Sequence, residues 1–276
     1  MTATALLAFA ANSLLCRMAL GAGLLDPATF TAVRVGSGAA VLVALAALRG
    51  ARRGASFDAR MVLGLFAYMA GFSFSYLTLD TGTGALILFA VVQLTMFAVA
   101  LVGGERFSST GWIGLCLALS GLVWQVAPGV TAPDPLGAAL MAVAGLGWAV
   151  YTLRGRAAGA PLLTTATNFA WVLPLTLLLY VVMPAEHVVS HRGLWLAATS
   201  GALTSGAGYA IWYAVLPALR ATTAATVQLA VPALAAVAGV LLLSEPVTLR
   251  LVIASVLTLG GILIVLLSRA PPAAAR

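Results

Sequence analysis

Charge is what this chain has least of. Only 8% of its 276 residues are Asp, Glu, Lys or Arg and 62% are hydrophobic, whereas a soluble domain carries about a quarter charged residues. With a mean hydropathy of +1.09, that excludes a water-soluble globular fold and puts the chain in a bilayer. Lysine is absent, so all fourteen cations are Arg, against seven acids. The net charge of +7 fits basic loops at an anionic membrane face, and no basic run interleaved with aromatics points to nucleic acid. Histidine is nearly absent: His187 and His191 stand four apart beside Glu186, too few ligands to define a zinc site and best read as a solvated loop. No nucleophile-base pairing or carboxylate pair at catalytic spacing is visible, so an enzyme is not expected, and no cofactor or metal is called for. The two cysteines, Cys16 and Cys116, lie in apolar runs, which argues against a disulfide framework and for buried packing. The start, "MTATALLAFAANSLL", has no basic leader region and reads as a span, not a cleavable signal.

What is there is a succession of apolar segments of about 20 residues, the length that crosses a hydrocarbon core. Breaks such as "GLLDP", "LDTGTG", "GGERFSS" and "SEPVTLR" divide the chain into ten spans, roughly 3–22, 27–48, 61–79, 83–102, 109–126, 136–153, 162–183, 194–216, 222–242 and 248–267. Pro27, Pro135, Pro161 and Pro246 sit where a new helix begins, the position at which proline costs least. If the spans alternate, Arg49, Arg52, Arg53, Arg60, Arg106, Arg154, Arg156, Arg220, Arg269 and Arg276 share one side, and the positive-inside rule makes both termini cytoplasmic.

A shift of 140 residues aligns positions 72–126 with 212–266 without a gap and with 13 of 55 pairs identical, among them Glu105 with Glu245 and Gly121 with Gly261. Each repeat then holds five spans. An odd number turns the second half over, giving two inverted-topology repeats, residues 1–130 and 131–276, around a central cavity near the membrane midplane. The expected fold is therefore an all-α integral membrane bundle of ten transmembrane helices.

Five-span halves ending in "GERF" or "SEPV", each followed by a Gly-rich span, with an Arg early in the second span ("FTAVRVGSGAAVL") and "GLGWAVYTLRGR" in the sixth, resemble the drug/metabolite transporter superfamily. Within it they resemble the EamA-type ten-helix exporters, closest to the YddG-type amino-acid exporters. The first span departs from the family pattern: "FAANSLL" puts Phe9 where the family often has Trp before an Asn. The resemblance implies export of small neutral or zwitterionic metabolites, amino acids including aromatic ones, by alternating access across a bacterial inner (plasma) membrane by a protein functional as a monomer.

Several residues stand out against the apolar background. Asn12, Phe72, Tyr76, Gln93, Trp148, Tyr151, Tyr209, Trp212, Tyr213 and Gln228, with Thr226, are polar or aromatic groups at or near membrane depth, where an amide needs a neighbouring helix or a wet cavity. Together they would make an amphipathic substrate pocket; individually, helix packing or an interfacial aromatic belt explains them as well. Arg34 lies two turns inside its span. Snorkelling, or pairing with Asp26 or Asp80, is the plain reading, and a substrate carboxylate the functional one. Asp80 reads as a cap or ion-pair partner, with proton coupling as its alternative, and Arg17 as an interfacial anchor. Glu105 and Glu245 precede helix starts, where a carboxylate meets the positive end of the dipole, and read as structural corners with gating as the alternative. Gly201 with Ser205 and Gly208 reads as small-residue packing. The first span lacks the deep carboxylate expected of a cationic-drug carrier, and only Arg34 and Arg17 could serve a phosphate. Phosphorylated metabolites are therefore the alternative substrates, and a channel the alternative class.

Overall fold

Apolar runs of this length satisfy every backbone N–H and C=O internally only as helices, and helices are what form. The structure is a computed structural model describing residues 1–50, 57–104, 107–155, 160–183, 188–215, 219 and 227–268. The helices are α1 (Thr2–Leu20), α2 (Pro27–Leu48), α3 (Ala59–Ser75), α4 (Thr81–Val102), α5 (Ser109–Val126), α6 (Pro135–Gly155) and α7 (Pro161–Val182). Then α8 (His191–Thr199) runs through a π-helix (Ser200–Ala207) into α9 (Gly208–Val215), and α10 (Ala230–Leu243) and α11 (Leu249–Ser268) follow. Seven are long and apolar enough to cross a membrane, and α3 and α10 are shorter apolar helices. Among the described residues the only extended pairing is one bridge, Leu25 with Val189.

Local chemistry sets the helix starts. Pro27, Pro135 and Pro161 open α2, α6 and α7, as expected, while Pro246 lies in the link before α11. The Asp26 carboxylate accepts the Thr29 N–H at 2.8 Å, and Ser108 and Ser190 cap α5 and α8 in the same way. The π-helix is a feature the sequence reading did not anticipate: "SGALTSGA" had looked only like a close-packing stripe. Cys16 is buried but Cys116 is exposed on α5, so the expected packing role holds for the first cysteine alone.

Small residues fix the tightest contacts. A Cβ on Gly114 of α5 would lie 2.6 Å from the Gly261 carbonyl of α11, and one on Gly64 of α3 2.9 Å from the Gly147 carbonyl of α6. These two helix pairs pack backbone to backbone. Elsewhere α2 packs on α7 and on the π-helix, α4 on α6 and α10, and α1 on α8, the π-helix, α9 and α10. Among the described residues these contacts bring together the walls of a polar-aromatic chamber.

Candidate functional site

The chamber is built by residues from distant parts of the chain. Phe9, Asn12 and Ser13 of α1, Tyr68 and Phe72 of α3, Leu88 and Phe89 of α4, Trp148 of α6, Thr204 of the π-helix and Tyr209 of α9 line it. Its free volume is about 20 Å³, room for about one water and not for a metabolite. The chamber is therefore closed in this conformation, because aromatic rings fill it. Trp148 is their hub, with ring centroids 4.9 Å from Tyr68, 5.1 Å from Tyr209 and 5.6 Å from Tyr151. Phe9 stands 5.8 Å from Trp212 and 5.9 Å from Tyr209, edge to face.

Polar groups at the wall are held across helices. Asn12 Oδ1 accepts from Ser200 Oγ at 2.7 Å and from Thr204 Oγ1 at 3.0 Å, while its Nδ2 donates to Tyr68 Oη at 3.4 Å. The π-helix supplies both hydroxyls, and π-turns of this kind are frequent at functional sites. Gly201 lets it approach the Arg34 carbonyl of α2 too closely for any side chain.

Arg34 is fully buried, so it does not snorkel. Its Nε donates to Ser205 Oγ at 3.1 Å and its Nη2 to Tyr68 Oη at 3.0 Å, and Nη1 has no partner. The guanidinium lies 4.8 Å from the Phe72 ring centre and 5.3 Å from that of Tyr68, within cation–π range. No carboxylate is within ion-pair distance of it among the described residues. The expected pairing with Asp26 or Asp80 is thus overturned: Asp26 caps its own helix and Asp80 is engaged by Arg17. An arginine at a helix centre costs roughly 2.5–3.5 kcal/mol on insertion scales, and two hydroxyls and two rings are all that offset it here.

One end of the bundle is closed by charge. Arg17 reaches Asp80 at 3.3 Å and Glu245 at 3.5 Å, and also donates to the Tyr76 and Leu77 carbonyls. Glu245 accepts the Thr81 N–H at 2.9 Å and Thr81 Oγ1 at 2.9 Å. The corner therefore caps α4, in the other half of the chain, and not the following helix as expected; α11 is capped by Thr248. Arg17 is more than an interfacial anchor, since it ties α1 to both acids. A vestibule of about 290 Å³ lies above, lined by Arg17, Met18, Arg192, Leu243 and Glu245 among others. At the same end Asp26 N–H donates to the Val188 carbonyl and Ser190 N–H to that of Leu24.

Among the described residues the opposite end has one ion pair, Arg154 with Asp58, which holds the Asp58 carboxyl below the usual carboxylate range. Further polar side chains are buried around Tyr151 and Tyr209. Tyr151 Oη donates to Thr165 Oγ1 at 3.4 Å, while both amide atoms of Asn168 and the hydroxyls of Thr164 and Tyr209 are buried without a hydrogen-bond partner.

Of the residues singled out from sequence, Asn12, Phe72, Trp148 and Tyr209 line the chamber. Trp212 stands behind it against Phe9. Tyr76 is buried, not in an interfacial belt, and packs on Phe72 at 4.9 Å. Tyr151 is likewise buried, below Trp148, and Tyr213 is half-buried. Gln93 is buried on α4 but outside the lining, and Gln228 is half-buried two residues before α10. Thr226, Glu105, Glu186 and His187 lie outside the described residues. Tyr68, Ser200, Thr204 and Phe89 were missed; Tyr68 falls four residues before Phe72 and eight before Tyr76, a stripe that extending the helical spacing by one turn would have found.

Comparison with known proteins agrees with this architecture. The chain is 46% identical over 277 residues to an uncharacterized protein of Pseudomonas aeruginosa, covering 98% of this chain and 94% of the relative. It is 27% identical over 215 residues to an uncharacterized transporter of Archaeoglobus fulgidus, covering 75% and 76%. A solved crystal structure matches with a TM-score of 0.66 over 95% of this chain and 98% of its own at 21% identity, a likeness of fold alone. Residues 135–267 match the EamA-like transporter family. That match, over just under half of the chain, supports the EamA-like transporter family of the drug/metabolite transporter superfamily and implies a membrane transporter of small substrates.

Proposed function

We propose that the protein exports small neutral or zwitterionic metabolites, most specifically amino acids including aromatic ones, by alternating access between two inverted halves of five spans. The halves are residues 1–130 and 131–276, the protein works as a monomer, and both termini face the cytoplasm of a bacterial inner membrane. The observation that carries this reading is the closed chamber, because its wall combines hydroxyls and an amide with large aromatic faces, suited to an apolar side chain beside a zwitterionic end.

The helix contacts support the inverted repeat. Exchanging the halves maps α1 onto α6, α2 onto α7, α3 onto the α8–π–α9 rod, α4 onto α10 and α5 onto α11. The α2/α7, α4/α10 and α5/α11 pairs map onto themselves, α3/α6 maps onto the pairing of α1 with the rod, and α4/α6 onto α1/α10. The match to the family over 135–267 lies within the second proposed half. Continuous helix through α8, the π-helix and α9 supports counting that stretch as one of the ten proposed crossings.

Export runs down the substrate gradient, since Asp26, Asp58, Asp80, Asp134 and Glu245 stand at helix ends and none lines the chamber. A phosphate carrier would need more cationic groups at the wall than Arg34 alone. Counterflow in proteoliposomes tests the reading: vesicles preloaded with unlabelled phenylalanine should take up the labelled amino acid faster than empty ones, with saturation and no ion gradient. Uptake that never saturates and ignores the preload would point to a channel.

A further inference from the structure

Arg34 packs behind the chamber wall, against Tyr68 and Phe72, with no carboxylate partner among the described residues, and its burial is complete. Its environment differs from that of three cations at the bundle's ends. Arg17, Arg154 and Arg250 each have a carboxylate or several carbonyls, while Arg34 has two hydroxyls, two ring faces and one free Nη1. The rings that cover it, Tyr68 and Phe72, are themselves chamber residues, so an outward turn of either one opens the guanidinium to whatever enters. A guanidinium fork whose partners are weak neutral acceptors is a receptor for a planar anion, and a carboxylate is the anion that matches it in shape and charge.

We propose that Arg34 receives the substrate carboxylate and that this contact, and not one to the ammonium group, decides what the chamber accepts. The lining residues offer the ammonium no acid, only ring faces and neutral hydroxyl and amide oxygens. The substrate class is therefore apolar-bodied monocarboxylates, with or without an α-amino group. Amines that lack the carboxylate are refused. Position supports the same assignment: Ser205 and Tyr68 hold the guanidinium from the π-helix and α3, one in each half of the chain, so an anion that draws Arg34 away from them acts on both halves at once. This rests on the carrier reading above and deepens it.

The test is binding to the full-length protein in detergent, measured by isothermal titration with three probes: phenylalanine, 3-phenylpropionate and phenethylamine. Phenylalanine and 3-phenylpropionate should bind, and phenethylamine should not. Arg34→Met should weaken both acids by about 10- to 100-fold, the loss expected for one charge-assisted contact, and Arg34→Lys should fall between. Phenethylamine binding as tightly as the acid, no binding of any probe, or unchanged acid affinity in a folded Arg34→Met would overturn the proposal. If Arg34→Met does not fold, the wild-type panel and Arg34→Lys decide. Binding of 3-phenylpropionate without counterflow would leave the carboxylate receptor standing and remove the carrier.

Discussion

The two ends of the bundle are closed by different physics. At the Glu245 end, Arg17 bridges two acids and two carbonyls, and Glu245 caps α4 through three contacts. At the Asp58 end the described residues show a single solvated ion pair, and Asn168 and Thr164 are buried with polar atoms that lack a hydrogen-bond partner. Half-buried charge networks that satisfy helix-end amides are costly to open, because each partner removed strands another. Unanswered amides and hydroxyls have the opposite tendency: water satisfies them when it enters, so opening at that end returns free energy. Among the described residues, therefore, the charged contacts that opening would have to break are concentrated at the Glu245 end.

Three substitutions sharpen or break that contrast. The largest effect is expected for Glu245→Ala, which leaves the α4 N-terminus uncapped and Arg17 with Asp80 alone; the loss of charge-assisted hydrogen bonds should cost about 2–3 kcal/mol, read as a lower unfolding midpoint in detergent. A midpoint unchanged from wild type would mean that these contacts carry no stability. Next is Asn168→Leu, which removes two unanswered polar atoms; it should stabilise this conformation by about 1 kcal/mol and slow transport. Destabilisation would show that Asn168 is satisfied in a way the contrast does not allow. The smallest is Asp58→Asn, whose exposed pair contributes little near neutral pH. Arg154 lowers the folded-state pKa of Asp58 below its unfolded value, so what stability it adds is present above the unfolded carboxylate pKa of roughly 3.9 and is lost as pH falls through the folded value. Wild type and Asp58→Asn should accordingly converge on acidification, and divergence at low pH would contradict the pairing.

Much of this architecture is written in the chain, for a reason that names its limits. Span lengths are legible because a bilayer imposes them, and helix starts because Pro27, Pro135 and Pro161 stand where a missing N–H costs nothing. Asn12, Phe72, Trp148 and Tyr209 could be singled out because polar or bulky groups at depth require a destination. What could not be read depends on contacts far apart in sequence. Glu245 is adjacent to α11 in the chain but caps α4, 164 positions away in number. Arg34 seemed destined for Asp26 or Asp80, since proximity along the chain says nothing about Ser205, its partner from the π-helix. The π-helix itself is invisible in "SGALTSGA" because small residues permit both close packing and a widened turn.

Alternating access, as proposed, requires the Glu245 end to open during transport. Met18 at the end of α1 and Leu243 at the end of α10 both line the vestibule there, outside the Arg17 network, and can be joined as Met18→Cys with Leu243→Cys by a short bis-methanethiosulfonate linker after Cys16→Ala and Cys116→Ala. Phenylalanine counterflow should stop when the linker is in place and return when a reductant releases it. Counterflow that continues at the same rate with the two helices joined would contradict the claim.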